Sequence, residues 1–125
     1  MINPVGWFEI HVDDMPRAKA FYQTVLAVEL ESLSDPTDGN AQMLVFPSDM
    51  ENYGASGALV KMDGFSPGGN GTLVYFACED CAKEESRVEA AGGKVERPKM
   101  SLGEHGFCAL VTDTEGNMFG LHSQQ

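Results

Sequence analysis

The residues from Gly6 to Leu26, GWFEIHVDDMPRAKAFYQTVL, constrain the fold most, because they hold a strand, a turn and an amphipathic helix in succession. Trp7 to Val12 alternates with a period of two, which is typical of a half-buried strand. Asp14 can cap a helix whose first turn tolerates Pro16. The spacing of five apolar residues predicts the buried side of this helix: Ala18, Phe21, Tyr22, Val25 and Leu26.

The predicted first strand has two chemically different faces. Phe8, Ile10 and Val12 form the face expected to pack against the helix, whereas the other face carries Trp7, Glu9 and His11. An indole, a carboxylate and an imidazole are therefore predicted on the side away from the helix.

A diluted copy of this segment begins in the second half of the chain. Thr72 to Cys78 again alternates, and Asp80, 66 positions after Asp14, can cap a helix that Gly92 and Gly93 end. The duplication predicts an α+β fold of two βαβββ modules, about 1–63 and 72–125, joined by a flexible linker at 64–71. The two modules are expected to form curled mixed sheets around a shared cleft.

The remaining strands follow from apolar runs between turn formers. In the first module they are predicted at 28–33, 41–46 and 57–62, with a turn at 34–40. In the second module they are predicted at 94–97, 107–112 and 118–122, with a loop at 98–106 that exposes His105.

Composition excludes several classes of function. The chain has 125 residues, enough for one domain with its own core, and no apolar run as long as a membrane span needs. Its 19 acidic and eight basic residues give a net charge of −11, which disfavours binding to nucleic acid and to acidic membranes. Three cysteines, an odd number, and the lack of a leader-like N-terminus indicate a cytoplasmic protein.

The motif V-x-D-x-x-R-A-x-x-FY-x-x-x-L, present as Val12, Asp14, Arg17-Ala18, Phe21-Tyr22 and Leu26, resembles the first module of the vicinal oxygen chelate superfamily. This superfamily includes glyoxalases, bleomycin resistance proteins and dioxygenases. The second half is similar through Gly92-Gly93-Lys94-Val95 and the turn Asp113-x-x-Gly116-Asn117. The opening Gly6 to Ile10 and the Tyr75-Phe76 strand are most similar to an uncharacterised, glyoxalase-related branch of small stand-alone proteins.

The resemblance implies a divalent metal held by His, Gln or Glu on the first and last strand of each module. The corresponding positions here are Trp7, Leu73, Gly120 and one residue within Gly57 to Leu59. Indole, isobutyl and hydrogen do not ligate a cation. We therefore expect no metal and no other cofactor.

Candidate site residues lie beside these positions. Glu9, His11 and His122 are candidates for general acid–base catalysis, because a carboxylate and imidazoles on cleft-facing strands can exchange protons. The alternative is that Glu9 and His11 pair structurally in a polar groove or dimer seam. Five residues are candidates for ligand binding: Trp7, Leu73, Tyr75, Met118 and Gly120.

Three functions remain open from the sequence. The first is a small-molecule-binding protein that acts as a metal-independent lyase or isomerase, with Glu9 as its base. The second is a non-catalytic binder of antibiotic type, and the third is a metal enzyme with the shifted ligands Glu9, His11 and His122. The expected partner is a small organic ligand, and the resemblance also implies a homodimer.

The pair Cys78-x-x-Cys81 stands where the second strand leads into a helix, a position that can lower a thiol pKa. A redox role is one interpretation. The other is packing, because Cys78 falls on the face predicted to pack against the helix.

Overall fold

The computed structural model describes residues 3–34, 41–49, 51 and 54–125. Its elements in chain order are β1 (Val5–His11), α1 (Met15–Leu26), β2 (Glu31–Leu33), β3 (Gln42–Val45), β4 (Ser56–Lys61), β5 (Thr72–Ala77), α2 (Cys81–Val88), β6 (Lys94–Ser101), a 3-10 helix (Gly103–His105), β7 (Phe107–Thr112) and β8 (Met118–Ser123). Most of the predicted turn at 34–40 lies outside the described residues.

The chain divides into two compact units, Trp7–Thr72 and Leu73–Gln125, and the residues through Gly6 group with the second. Strand order in the first unit is β2-β3-β4-β1, and in the second it is β5-β8-β7-β6. In each unit the first and last strands are parallel neighbours and the other pairs are antiparallel. The predicted α+β class and the two βαβββ modules with mixed sheets are confirmed.

Helix α1 covers one face of the first sheet. Asp14 caps its first residue, Met15, and Oδ1 of Asp14 accepts a hydrogen bond from the Arg17 N–H at 3.0 Å. Met15 on α1 belongs to a buried cluster that Ile10 and Val12 of the strand segment join, as their alternation predicts. The cluster consists of Met15, Leu30, Leu44 and Leu59.

The predicted buried side of α1 is partly wrong. Phe21, Val25 and Leu26 are 59%, 61% and 51% exposed, whereas Ala18 and Tyr22 contact the core. Phe21 precedes Tyr22 by one residue, which places it about 100° further round the helix. Val25 and Leu26 lie in the last turn, beyond the residues that pack on the sheet. The apolar spacing therefore describes a wider stripe than the sheet covers.

Helix α2 covers the second sheet in the same way. Asp80 caps this helix by accepting a hydrogen bond from the Ala82 N–H at 3.0 Å. The buried cluster between α2 and the strands consists of Cys81, Ala109, Val111 and Leu121. The helix ends at Val88, whose carbonyl accepts the Gly93 N–H at 2.9 Å. Neither helix in the described residues is long and apolar enough to cross a membrane.

Strand β6 is longer than its predicted range of 94–97. It runs to Ser101 through Pro98, which the sequence assigns to a loop. The register with β7 shifts between Val95 and Arg97 and again between Arg97 and Met100. Proline is tolerated here because β6 is the outer strand of its unit and is bulged on both sides of Arg97.

The connection at 64–71, predicted to be flexible, folds into hydrogen-bonded turns. The Phe65 N–H donates to the Met62 carbonyl at 3.2 Å, and the Gly71 N–H donates to the Gly68 carbonyl at 2.6 Å. A Cβ at Gly71 would meet the carbonyl of Ser66, so the turn requires glycine at this position. Gly71 therefore allows two backbone segments to approach closely.

Candidate functional site

Trp7 and Glu9 form a hydrogen-bonded pair on the face of β1 away from α1. The indole Nε1–H of Trp7 donates to Oε2 of Glu9 at 3.0 Å, and both side chains are half-buried. Ile10 and Val12 point the other way, into the core beneath α1, so the predicted alternation is correct. The pair fixes the orientation of a partly accessible carboxylate.

His11 lies on the same face but is only 2% exposed. Its Nδ1 lies 3.2 Å from the Gly71 carbonyl oxygen, and its ring stacks on Phe65 with centroids 4.8 Å apart. A carbonyl oxygen only accepts hydrogen bonds, so Nδ1 is the donor. The backbone N–H of His11 donates to the same oxygen at 2.6 Å. These contacts use His11 to anchor the turn at 64–71.

The second unit has a comparable face on β5 and β8, opposite α2. The registers Tyr75↔Gly120 and Ala77↔His122 place these residues side by side. The intervening Phe76, Phe119 and Leu121 join the core beneath α2, so the alternate residues point away from it. This face carries five of the predicted site residues: Leu73, Tyr75, Met118, Gly120 and His122.

The middle of this face is densely packed. Leu73 is 1% exposed and Tyr75 is 9% exposed, whereas Met118 and His122 are half-buried. A Cβ on Gly120 would collide with the Tyr75 ring, so the ring lies directly over this glycine. Aromatic cover over a strand glycine explains why position 120 has no side chain. The sequence alone does not show that Tyr75 and Gly120 are paired, because the register of β5 and β8 is set by the fold.

His122 is held by a loop of its own unit. Its Nε2 lies 2.7 Å from the backbone carbonyl oxygen of His105, at the end of the 3-10 helix. The side chain of His105 is exposed, as predicted, and lies 3.8 Å from the carboxylate of Glu104. On the neighbouring strands, Ala77 and Cys108 stand directly beside His122.

The positions implied for metal ligands do not fit a metal ion. In the second unit they are Leu73, which is buried, and Gly120, which the Tyr75 ring covers. In the first unit they are Trp7, whose N–H is donated to Glu9, and Ala58, which pairs with Glu9 as Gly120 pairs with Tyr75. Within the described residues, no group of three or more His, Cys, Asp or Glu side chains is arranged to hold a metal ion.

The pair Cys78 and Cys81 belongs to the core beneath α2. Burial, followed by the nearby Glu84 carboxylate, raises the pKa of Cys78 to about 11. Cys81 is fully buried, and its N–H donates to the Ser123 hydroxyl at 3.0 Å. A thiol with so high a pKa is a poor nucleophile, so the geometry favours packing over the redox interpretation.

Comparisons with known proteins agree with this architecture. The family model described as Glyoxalase/Bleomycin resistance protein/Dioxygenase superfamily matches residues 4–121. The "Putative glyoxylase CFP32" of Mycobacterium tuberculosis is 28% identical over 97% of this chain. The match covers 45% of that protein, so the chain spans about half the length of this curated relative.

Two solved structures share the fold at low identity. A Streptomyces coelicolor methylmalonyl-CoA epimerase variant, in complex with 2-nitronate-propionyl-CoA, is 14% identical with a TM-score of 0.66 and covers 98% of this chain and 95% of its own. The Mycobacterium tuberculosis methylmalonyl-CoA epimerase is 13% identical with a TM-score of 0.66 and covers 100% and 93%. At these identities the likeness concerns the fold alone.

Proposed function

Because the chain belongs to the glyoxalase/bleomycin resistance protein/dioxygenase superfamily, we propose that it binds a small organic ligand without the metal ion implied by the resemblance. One observation carries the proposal: Leu73, Gly120, Trp7 and Ala58 fill the four ligand positions with groups that do not coordinate a cation. Elemental analysis of the purified protein tests the absence of the metal ion. A stoichiometric transition metal that is lost in His122→Ala would contradict it.

Ligand contact in the second unit is assigned to Met118 and His122. Both are half-buried, whereas Leu73, Tyr75 and Gly120 form the packed floor between and beside them. Met118 offers a soft, polarisable surface and His122 offers a polar group. Tyr75, one of the five candidates for ligand binding, therefore shapes the site from beneath, with its ring over Gly120.

Thermal stabilisation by ligands tests this assignment. Methylmalonyl-CoA, which one structural neighbour binds, serves as an anionic probe, and a series of substituted phenols serves as neutral probes. A compound that binds the folded state raises the melting temperature in proportion to its free energy of binding. Met118→Glu is expected to abolish the stabilisation, and Val25→Glu, on the exposed part of α1, is expected to retain it. Equal stabilisation of both variants would contradict the assignment.

A second candidate function, a metal-independent lyase or isomerase, is favoured by the Trp7–Glu9 pair. A half-buried carboxylate oriented by an indole N–H at 3.0 Å is equipped to act as a general base. We assign no catalytic role to His11, because its Nδ1–H donates to the Gly71 carbonyl and its ring stacks on Phe65.

Glu9→Gln separates this function from simple binding. The amide retains the size of the side chain and removes the base, so turnover of a compound found by thermal shift is expected to fall about 100-fold or more. Trp7→Phe, which removes only the indole donor, is expected to give a smaller loss. Full turnover by Glu9→Gln would exclude the catalytic function and leave the binding function standing.

A further inference from the structure

We propose that the loop between β6 and β7 fixes the tautomer of His122, so that its Nδ1 is a hydrogen-bond acceptor on the face opposite α2. The ligand then presents a hydrogen-bond donor to this nitrogen. The ligand part rests on the proposed function, whereas the tautomer part concerns the free protein and stands by itself.

The tautomer follows from the partner of Nε2. The His105 carbonyl oxygen, 2.7 Å away, carries no hydrogen, so Nε2 must be the donor. A neutral imidazole has one N–H, and its other ring nitrogen holds a lone pair. In neutral His122 that lone pair is therefore on Nδ1.

The loop holds the His105 carbonyl by backbone geometry. Gly106 has φ +92°, and a Cβ there would collide with the carbonyl oxygen of Ser123. The Leu102 N–H donates to the Gly106 carbonyl at 2.7 Å, and the Gly103 N–H donates to the Ser101 hydroxyl at 3.1 Å. Gly106 is thus a positioning residue for His122, since only glycine fits this backbone conformation and this space.

The side chain of His105 takes no part in this arrangement. It is exposed and lies near Glu104, whereas the hydrogen bond with His122 is made by the backbone oxygen. This separation supplies a matched control, because His105→Ala removes an imidazole from the same loop and keeps the carbonyl.

The surroundings of His122 indicate the class of ligand. Ala77 and Cys108 flank it with a methyl group and a sulfur, and half-buried Met118 lies on the same face of β8. An acceptor nitrogen in a protein of net charge −11 favours a neutral ligand with an O–H or N–H group and an apolar body over an anion.

Nitrogen-15 NMR of the imidazole rings tests the tautomer. At about pH 8, where an ordinary imidazole is neutral, long-range proton–nitrogen correlations are expected to show the Nε2–H form of His122 in wild type and in His105→Ala. Gly106→Ala is expected to lose it. Gly116→Ala, which also strains a positive φ (+87°) but lies in the turn before β8, is expected to keep it.

Several results would overturn the tautomer assignment. They are an Nδ1–H form in wild type, a change in His105→Ala, or an unchanged tautomer in folded Gly106→Ala. If Gly106→Ala does not fold, Gly103→Pro replaces it, because proline cannot adopt the φ of +65° at this position and lacks the N–H that donates to the Ser101 hydroxyl. An unchanged tautomer in that variant would equally overturn the role of the loop.

Titration with phenol, anisole and benzoate tests the ligand class. Phenol carries a donor, anisole has a similar shape without one, and benzoate is an anion. Only phenol is expected to shift the Nδ1 resonance of His122. Equal shifts with anisole or benzoate, or no shift with phenol, would overturn the ligand class. The tautomer assignment would be unaffected, because it is measured in the free protein.

Discussion

The contact between Gly120 and Tyr75 leads to a prediction for single side chains. Because a Cβ at position 120 would overlap the Tyr75 ring, we expect Gly120→Ala to lower the free energy of unfolding by about 1–3 kcal/mol, as overpacking does. In a Tyr75→Ala background the same change is expected to cost much less. Urea unfolding of both singles and the double variant measures the coupling, and additive effects would contradict the contact.

The thiol of Cys78 gives a second prediction at this scale. With its pKa raised to about 11, first by burial and then by Glu84, Cys78 holds roughly 100-fold less thiolate near neutral pH than an ordinary cysteine. Iodoacetamide is expected to label it correspondingly slowly, as peptide mass spectrometry would show. Glu84→Gln is expected to accelerate labelling only in part, because burial remains. Rapid labelling of Cys78 in folded wild type would contradict this expectation.

Strand alternation in the sequence predicts on which face of its strand each candidate site residue lies. The faces of Trp7, Glu9 and His11, and of Met118, Gly120 and His122, follow from a period of two. The hydrogen-bond partners of the two histidines do not follow from the alternation. His11 is satisfied by Gly71, 60 residues away, and His122 by the backbone of His105. Every residue has a backbone carbonyl, so the sequence does not show which of them accepts a hydrogen bond from a histidine. A histidine that anchors a turn therefore cannot be distinguished by sequence from a candidate catalytic histidine.

At the scale of elements, the cap of α2 predicts a pH dependence. The Lys99 ammonium donates to Asp80 at 2.9 Å, and this bond, followed by the Ala82 N–H, holds the pKa of Asp80 below its ordinary value. A carboxylate with a lowered folded-state pKa stabilises the protein above its unfolded pKa of about 3.8 and loses that contribution as pH falls. Between about pH 6 and pH 3, Asp80→Asn is therefore expected to lose less stability than wild type.

Two lysine variants complete this experiment. Lys99→Met removes the partner and is expected to flatten the acid dependence as Asp80→Asn does. Lys94→Met removes a lysine that is 72% exposed and 3.7 Å from Glu96, and it is expected to leave the dependence unchanged. Denaturant unfolding across the pH range measures all four proteins. A wild-type slope in Lys99→Met would mean that Asp80 is not the source.

Elements were predicted well where local signals decide them. Asp14 and Asp80 cap their helices as their residue types suggest, and β7 has the predicted bounds. The predictions were wrong where packing against another element determines the structure. Pro98 lies within β6 because that strand is the outer one of its unit. Phe21 is exposed because the sheet beneath α1 is narrower than the apolar stripe of the helix. Edge position and covered width are tertiary properties that local periodicity does not contain.

For the whole molecule, net charge links stability to ionic strength. With 19 acidic and eight basic residues, the folded chain repels itself more than the expanded unfolded chain does. Dissolved salt screens this repulsion over a Debye length of about 10 Å at 0.1 M. We therefore expect the melting temperature to rise by a few degrees as NaCl increases from about 10 mM to about 300 mM.

A charge variant distinguishes self-repulsion from binding of a particular ion. Glu29→Lys combined with Glu115→Lys changes two exposed positions and moves the net charge from −11 to −7, since each substitution adds two charges. Its melting temperature at low salt is expected to exceed that of wild type, and its salt dependence is expected to be shallower. Replacing NaCl by choline chloride at equal ionic strength is expected to reproduce the wild-type curve. A steep curve that persists in the variant, or that requires sodium, would attribute the effect to a specific ion site instead of to the summed charge.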